Sequence, residues 1–442
     1  MHDLMHDMAR HVMGDDCSVI EPGKDVVIPY GVLHLSSSCP GSIFSPQDLE
    51  KLASLRSVFM YGNMNEDSIS HISNHMYLKV LYLPEVLPDL IHYLQNLQVL
   101  LLYSCQKLRE LPESICELKK LNYLNLSHSS IEALPGSIIY LQNLQVLLLD
   151  SCPLPKLPEG LRNMKNLQRL EIGYSLRHLP LGIKELTSLR TLSMFPLSNN
   201  SGAKIGELEN LNLLEGELQI VPLENVESLS EAKTANLKCK RNLQSLMLRW
   251  SGIRPWDPKG SMRIAHDEEV LEGLEPNTSL KKLEIFFYMG KSISPSWMDG
   301  LRNLIEITFY HCKNCEHIPP LGRLPNLRVI HFSIMDSLKC LCDDKENMLD
   351  DTSNMFLCLQ KLDIYNCPNL VSLPSNLPKL EALRLVECDR LLSLPDQIQS
   401  FRDLNKLVII NCELLSKRCE KEIGVDWPKI SHIPNIITDS PG

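Results

Sequence analysis

Long apolar runs are missing from this 442-residue chain: no stretch of eighteen apolar residues occurs, so no segment has the length of a membrane-spanning helix. Catalytic signatures are missing as well. There is no G-x-S-x-G elbow and no pair of carboxylates at a recurring offset, so the residues read as those of a non-enzyme. No G-x-x-x-x-G-K-[ST] occurs, which removes the lysine and the backbone cradle that hold nucleotide phosphates. Basic charge is in deficit, with 44 Lys plus Arg against 54 Asp plus Glu. The resulting net charge of −10 lacks the basic footprint that phosphate contacts need, so no nucleic-acid partner is expected. The fifteen cysteines lack the paired spacing of an extracellular cap and no apolar leader precedes them, which points to a reducing, cytoplasmic setting. Aromatic residues make up only 6% of the chain, so the places where they gather are informative.

In place of these the chain has repetition. YLQNLQVLLLYSC at 93–105 returns as YLQNLQVLLLDSC at 140–152, and LNYLNLSHS at Leu121 lies between the two copies. Aligned on the first Leu of each L-x-x-L-x-L, units start at Leu55, Leu78, Leu97, Leu121, Leu144, Leu167 and Leu189, and again at Leu243, Leu280, Leu304, Leu327, Leu359, Leu380 and Leu404. A degenerate copy lies near Glu215. The ninth position of the unit is Asn63, Cys105, Cys152, Cys312, Cys367, Cys388 or Cys412. This is the leucine-rich-repeat pattern L-x-x-L-x-L-x-x-N/C-x-L. The alternating leucines predict a short parallel strand with its apolar side inward, and the ninth residue predicts a small buried side chain beneath a turn. Leu111-Pro112, Leu134-Pro135 and Leu394-Pro395 then open segments with apolar spacings of three and four, as short helical returns do. The expected fold is therefore an α/β leucine-rich-repeat solenoid, a curved horseshoe with a parallel sheet on its concave face and short helical or irregular segments outside.

In such an array the exposed strand positions form one face, and about fifteen strands spaced about 4.8 Å apart would give it an extent of about 70 Å. The seventh and eighth positions carry Tyr103, Tyr174, Phe195, Trp250, Phe286, Phe287, Tyr310 and Tyr365. Exposed aromatics bury large area at little entropic cost when a partner docks. Tyr103, Tyr174, Trp250, Phe286, Phe287, Tyr310 and Tyr365 are accordingly the candidate protein-binding residues. For Trp250, Phe286 and Phe287, burial against the irregular stretch 190–290 is the competing reading.

Two runs invite a metal reading. His311-Cys312-Lys313-Asn314-Cys315-Glu316-His317, with Cys340 and Cys342 further on, has zinc-ligand residue types. Cys312 should point into the core, however, where it cannot share a surface metal with Cys315. At the head, His2 and His6 resemble half of a zincin motif, but Asp stands where that motif needs Glu. No metal is expected at either place. The block 97–191 holds 11 basic against 8 acidic residues, read first as a solvated convex face, with a face for an acidic partner surface as the alternative. Excursions at 251–279 and 336–358 break the period, and the second is acidic and reads as a loop.

The flanks carry a more specific signal. Met1-His2-Asp3-Leu4, continued as MHDMAR, resembles the MHD motif and following helix that close the nucleotide-binding part of plant NB-LRR disease-resistance proteins of the coiled-coil class. GELENLNLLEGELQIVPLENV at 206–226 and EAKTANLKCKRNLQSLMLRW at 231–250 resemble that class's mid-array insertion, and GVDWPKISHIPNI at 424–436 resembles its C-terminal ending. The resemblance implies an intracellular immune-receptor module that restrains a nucleotide-binding domain and senses a pathogen effector or an altered host protein. It matches His2 to the motif's phosphate-sensing histidine and Asp3 to its neighbour. The family's nucleotide is ADP or ATP, but without a P-loop this chain is expected to bind no cofactor and to represent the repeat part alone. The expected division is 1–30 as a remnant MHD helix and connector, 31–214 as the N-terminal repeat block, 215–290 as an irregular block with the insertion, and 291–442 as the C-terminal block and cap. A ubiquitin-ligase substrate adaptor and a constitutive scaffold are the alternatives from other classes.

Overall fold

The computed structural model describes residues 16–21, 28–38, 51–61, 77–84, 87, 89–199, 202–251, 260–341 and 356–439. His2, Asp3, His6, Asn63, Cys342 and most of the acidic excursion lie outside these. The chain divides into two compact units, Met1–Ala203 and Lys204–Gly442. The repeat frame predicts a division at 214/215, but residues 204–214 pack with the second unit. The turn of helix Ile205–Leu208 buries Ile205 and Leu208, and the Leu208 carbonyl accepts a hydrogen bond from Lys240 Nζ at 2.7 Å.

Among the described residues of the first unit, one sheet holds nine parallel strands paired in chain order, running from Cys17–Ile20 and His34–Ser37 through Val99–Leu101 and Val146–Leu149 to Thr191–Leu192. The repeat spacing does not predict the first two, and Cys17–Ile20 falls within the stretch assigned to a connector. Their pattern of half-buried and buried residues keeps the period of two, but without leucines at the repeat spacing. Leu35, Val58, Leu81, Leu100, Leu124, Leu147, Leu170 and Leu192 stand in register across consecutive strands, and all are buried. Each such side chain stabilises the stack by about 1.5–3 kcal/mol, an upper estimate, and it does so only because a neighbouring repeat covers it.

After the strands Val99–Leu101, Tyr123–Asn125 and Val146–Leu149 the chain turns through a left-handed residue. Ser104, His128 and Ser151 have φ of 60°, 59° and 55°, and the ninth-position residue then points inward. Cys105, Cys152, Cys312, Cys367, Cys388 and Cys412 are all buried, as their spacing predicted. Their thiols reach back to the turn: Cys152 Sγ lies 2.9 Å from the Leu126 carbonyl, and Cys412 Sγ lies 3.4 Å from that of Ile410. Burial pushes the Cys315 and Cys367 thiols up to about 12, so they stay protonated. Returns open with proline as expected, Pro112 before Glu113–Glu117, Pro135 before Gly136–Tyr140 and Pro395 before Asp396–Ser400, and each is a single 3-10 turn. A second ladder has no place in the leucine consensus. Where an Asn precedes the first Leu it donates to the previous repeat, Asn143 Nδ2 to Lys119 O at 2.8 Å and Asn326 Nδ2 to Arg302 O at 2.8 Å, which satisfies a backbone carbonyl at the end of that repeat's return.

The second unit has longer strands. Glu215–Val221 and Asn242–Arg249 have seven and eight residues, and five-residue strands Lys282–Phe286, Glu306–Tyr310, Val329–Ser333, Lys361–Tyr365, Ala382–Val386 and Lys406–Ile410 follow in parallel register before the closing strand Asn435–Thr438. Helices Leu229–Lys233 and Gly260–Gly273 occupy the insertions. Larger side chains fill the interior here: Phe309 and Phe332 stack at 5.4 Å, and Tyr288 takes the ladder place that Cys holds elsewhere, donating its hydroxyl to the Ser292 carbonyl at 2.7 Å. No helix among the described residues is long and apolar enough to cross a membrane.

Candidate functional site

The C-terminal ends of the strands in the second unit bring five side chains together. Register places Arg249, Phe286 and Tyr310 side by side on successive strands. Phe287 and His311 follow as the left-handed turn residues, with φ of 60° and 59°. The turn is what aims them outward. Phe286 and Tyr310 lie 5.2 Å apart between ring centroids, Phe287 and Tyr310 5.5 Å, and Phe287 and His311 4.8 Å. The Arg249 guanidinium sits 5.4 Å from the Phe287 ring, a cation–π arrangement worth about 0.5–1 kcal/mol at an exposed site. Burial, with Lys313 nearby, holds the His311 imidazole below its ordinary range, so it is neutral at pH 7. The result is a half-buried apolar platform edged by one guanidinium. Its composition suits macromolecular contact, since aromatic and Arg side chains dominate interface energetics.

The predicted residues divide between several places. Phe286, Phe287 and Tyr310 join in this platform. Tyr365 shares the row two strands on and is 41% exposed, but it stands apart from the cluster. Tyr103 and Tyr174 belong to the first unit and are exposed, with Tyr103 edge-on to His128 at 5.2 Å. Trp250 must be corrected: it is fully buried, edge-on to Tyr288 at 5.1 Å. Its strand does not enter the left-handed turn at the eighth position, so the alternation that sends Leu246 and Leu248 inward continues and carries Trp250 in as well. Phe195 is buried too. Arg249, His311 and His128 occupy the same seventh and eighth positions, yet a search restricted to Phe, Tyr and Trp cannot find an arginine or a histidine. Tyr61 is a further omission that needed only the same counting rule, and it pairs with Tyr82 at 5.2 Å.

The zinc-like run is taken apart by the fold. Cys312 and Cys315 are both buried, and Cys315 Sγ donates to the His317 carbonyl at 3.1 Å, while His317 is exposed. Among the described residues no three His, Cys, Asp or Glu side chains come together as metal ligands would.

Similarity to known proteins follows the same layout. Residues 205–335 match the R13L1/DRL21 LRR family. A disease resistance protein of Arabidopsis thaliana is 33% identical over 88% of this chain and 29% of its own length. RPP13-like protein 1 of the same plant is 30% identical over 94% and 43%, and the disease resistance protein RGA2 of Solanum bulbocastanum is 30% identical over 57% and 36%. This chain belongs with the leucine-rich-repeat part of the plant NB-LRR disease-resistance proteins. It spans less than half the length of these relatives. The solenoid also recurs in a leucine-rich-repeat protein of Leptospira interrogans, with a TM-score of 0.62 at 23% identity over 90% of this chain and 92% of that one. A TDR receptor superposes with a TM-score of 0.57 at 18% identity, covering 93% and 72%. The family match encloses the whole aromatic platform.

Proposed function

We propose that this array is the protein-recognition and autoregulatory module of a cytoplasmic plant immune receptor, and that it contacts its partners without catalysing a reaction. The observation that carries the reading is the joined cluster of Arg249, Phe286, Phe287, Tyr310 and His311, displayed on rigid strand ends within the stretch that matches the resistance-protein repeats. In this reading the array holds a receptor's nucleotide-binding domain at rest, that domain rather than the array binds ADP or ATP, and a pathogen effector or modified host protein displaces the contact. Switching requires the partner to bind one state more tightly than the other, because equal affinity shifts nothing.

The test uses the full chain and the nucleotide-binding domain of a matched receptor, with affinity measured by calorimetry. Tyr310→Ala and Phe287→Ala are expected to weaken binding about tenfold or more, as central aromatic anchors do, and to leave the melting temperature nearly unchanged. Equal affinity of the variants and the parent chain would remove the platform from the interface.

A further inference from the structure

Three cations on the sheet face of the second unit meet no carboxylate among the described residues. In register, Lys361, Ala382 and Lys406 lie abreast on three successive strands, and Arg384 stands on the middle strand between Asp363 and Val408. Lys361, Arg384 and Lys406 are all exposed. With strands about 4.8 Å apart and about 3.3 Å per residue, the lysines are about 10 Å apart and Arg384 is about 8 Å from each. Ala382 leaves a shallow floor between them.

The carboxylates of this face are already engaged. Glu284 and Glu306 flank Lys282 at 3.3 and 3.0 Å, and Asp363 meets His331 at 3.0 Å. Glu381 accepts a hydrogen bond from Gln360 at 2.9 Å, and Asp403 pairs with Lys379 at 3.6 Å. Glu387 and Asp389 lie beyond the strand ends. Asp363 stands across from Arg384 with its carboxylate turned to His331, so within a protein of net charge −10 this patch of sheet carries more positive than negative charge. Like charges held this close repel one another, and their mutual repulsion is relieved when an anionic surface covers them.

We propose that Lys361, Arg384 and Lys406 form a docking site for an acidic protein segment, whose carboxylates meet the triangle of cations. The three cations form a triangle with sides of about 8, 8 and 10 Å, and side chains two apart in an extended chain lie about 7 Å apart, so neighbouring carboxylates of such a segment reach Arg384 and either lysine. Duplex nucleic acid is a poorer fit, because the patch is three charges wide within an acidic chain. The proposal rests on reading the second unit as a recognition surface, and it assigns the chemistry of the partner there.

The experiment is fluorescence anisotropy with the full chain and a labelled eight-residue peptide of alternating Glu and Ala. The peptide is expected to bind with an affinity that falls as salt rises. Each of Lys361→Gln, Arg384→Gln and Lys406→Gln should weaken it several-fold, and the triple variant at least tenfold, with a shallower salt slope. Lys417→Gln, on the C-terminal helix Glu413–Arg418, should have no effect. Because the three side chains are exposed, circular dichroism melts of the variants should overlay the parent. Undiminished binding by the triple variant overturns the proposal, and so does tighter binding of a duplex oligonucleotide than of the peptide. If the peptide fails while Tyr310→Ala still weakens capture of the nucleotide-binding domain, this inference falls and the proposed function stands. The reverse pattern retains the cation site and removes the platform.

Discussion

The two units solve the same packing problem with different materials. In the first, strands run two to four residues and leucine fills nearly every inward place; among the described residues Phe195 is its sole buried aromatic. In the second, strands reach eight residues, helices fill the insertions, and Trp250, Tyr288, Phe309, Phe332, Phe356 and Phe401 are buried. A longer strand and a bulkier return enclose more volume per repeat, and only aromatic side chains fill it at native density. Regularity therefore makes the first unit easy to read from sequence. In the second, parallel register is what gathers the platform and the cations.

The largest effect should come from the regular unit. Leu147→Asp places an unpaired charge between Leu124 and Leu170 and is expected to cost more than about 4 kcal/mol, seen as loss of amide protection across the strands of that unit. Survival of that protection would mean the leucine stack is not what holds the repeats. In the second unit the comparable blow is Trp250→Ala, expected to cost about 3–5 kcal/mol by denaturant titration. Trp250→Phe should cost about 1 kcal/mol or less, because Trp250 Nε1 is buried and finds no acceptor among the described residues. If both substitutions cost the same, ring volume is not what fills this repeat.

A smaller effect, of opposite sign, is expected at Lys240. Its side chain is fully buried and burial lowers it to about 8. The sign follows from linkage: the unfolded chain takes up the proton first as pH falls from 10.5, so the penalty is complete below about 8 and is relieved as pH rises between the two. Lys240→Met should therefore stabilise the protein by about 2–3 kcal/mol at pH 7, with the gain shrinking toward pH 10. A gain independent of pH would show that the amine is not strained by burial. The smallest effect belongs to the turn. Ile334 is β-branched at φ 57°, where later repeats place Asn366 and Asn411, so Ile334→Asn should raise stability by about 1 kcal/mol. A loss instead would mean that the isoleucine packing outweighs the backbone cost.

Much of this architecture could be read from spacing. The repeat starts, the buried cysteines and the Leu-Pro returns all follow from the recurrence of one phrase, because a repeat that stacks on itself must keep its inward residues at fixed intervals. The strands Cys17–Ile20 and His34–Ser37 escaped because serine and cysteine take inward or flanking places there without the leucine frame. The fate of Trp250 escaped for a different reason. It depends on whether one backbone residue turns left-handed, and neither Arg249 nor Trp250 announces that choice.

Taken alone, the order of residues determined that the chain stacks, which leucines and thiols lie inside, and that it resembles a resistance-protein array, since periodic burial and flanking motifs are both written along one dimension. Which aromatics meet, which are buried and which cations gather were decided only by the folded sheet. Parallel register sets residues from different repeats a few ångströms apart, and a single φ fixes whether a side chain faces core or solvent.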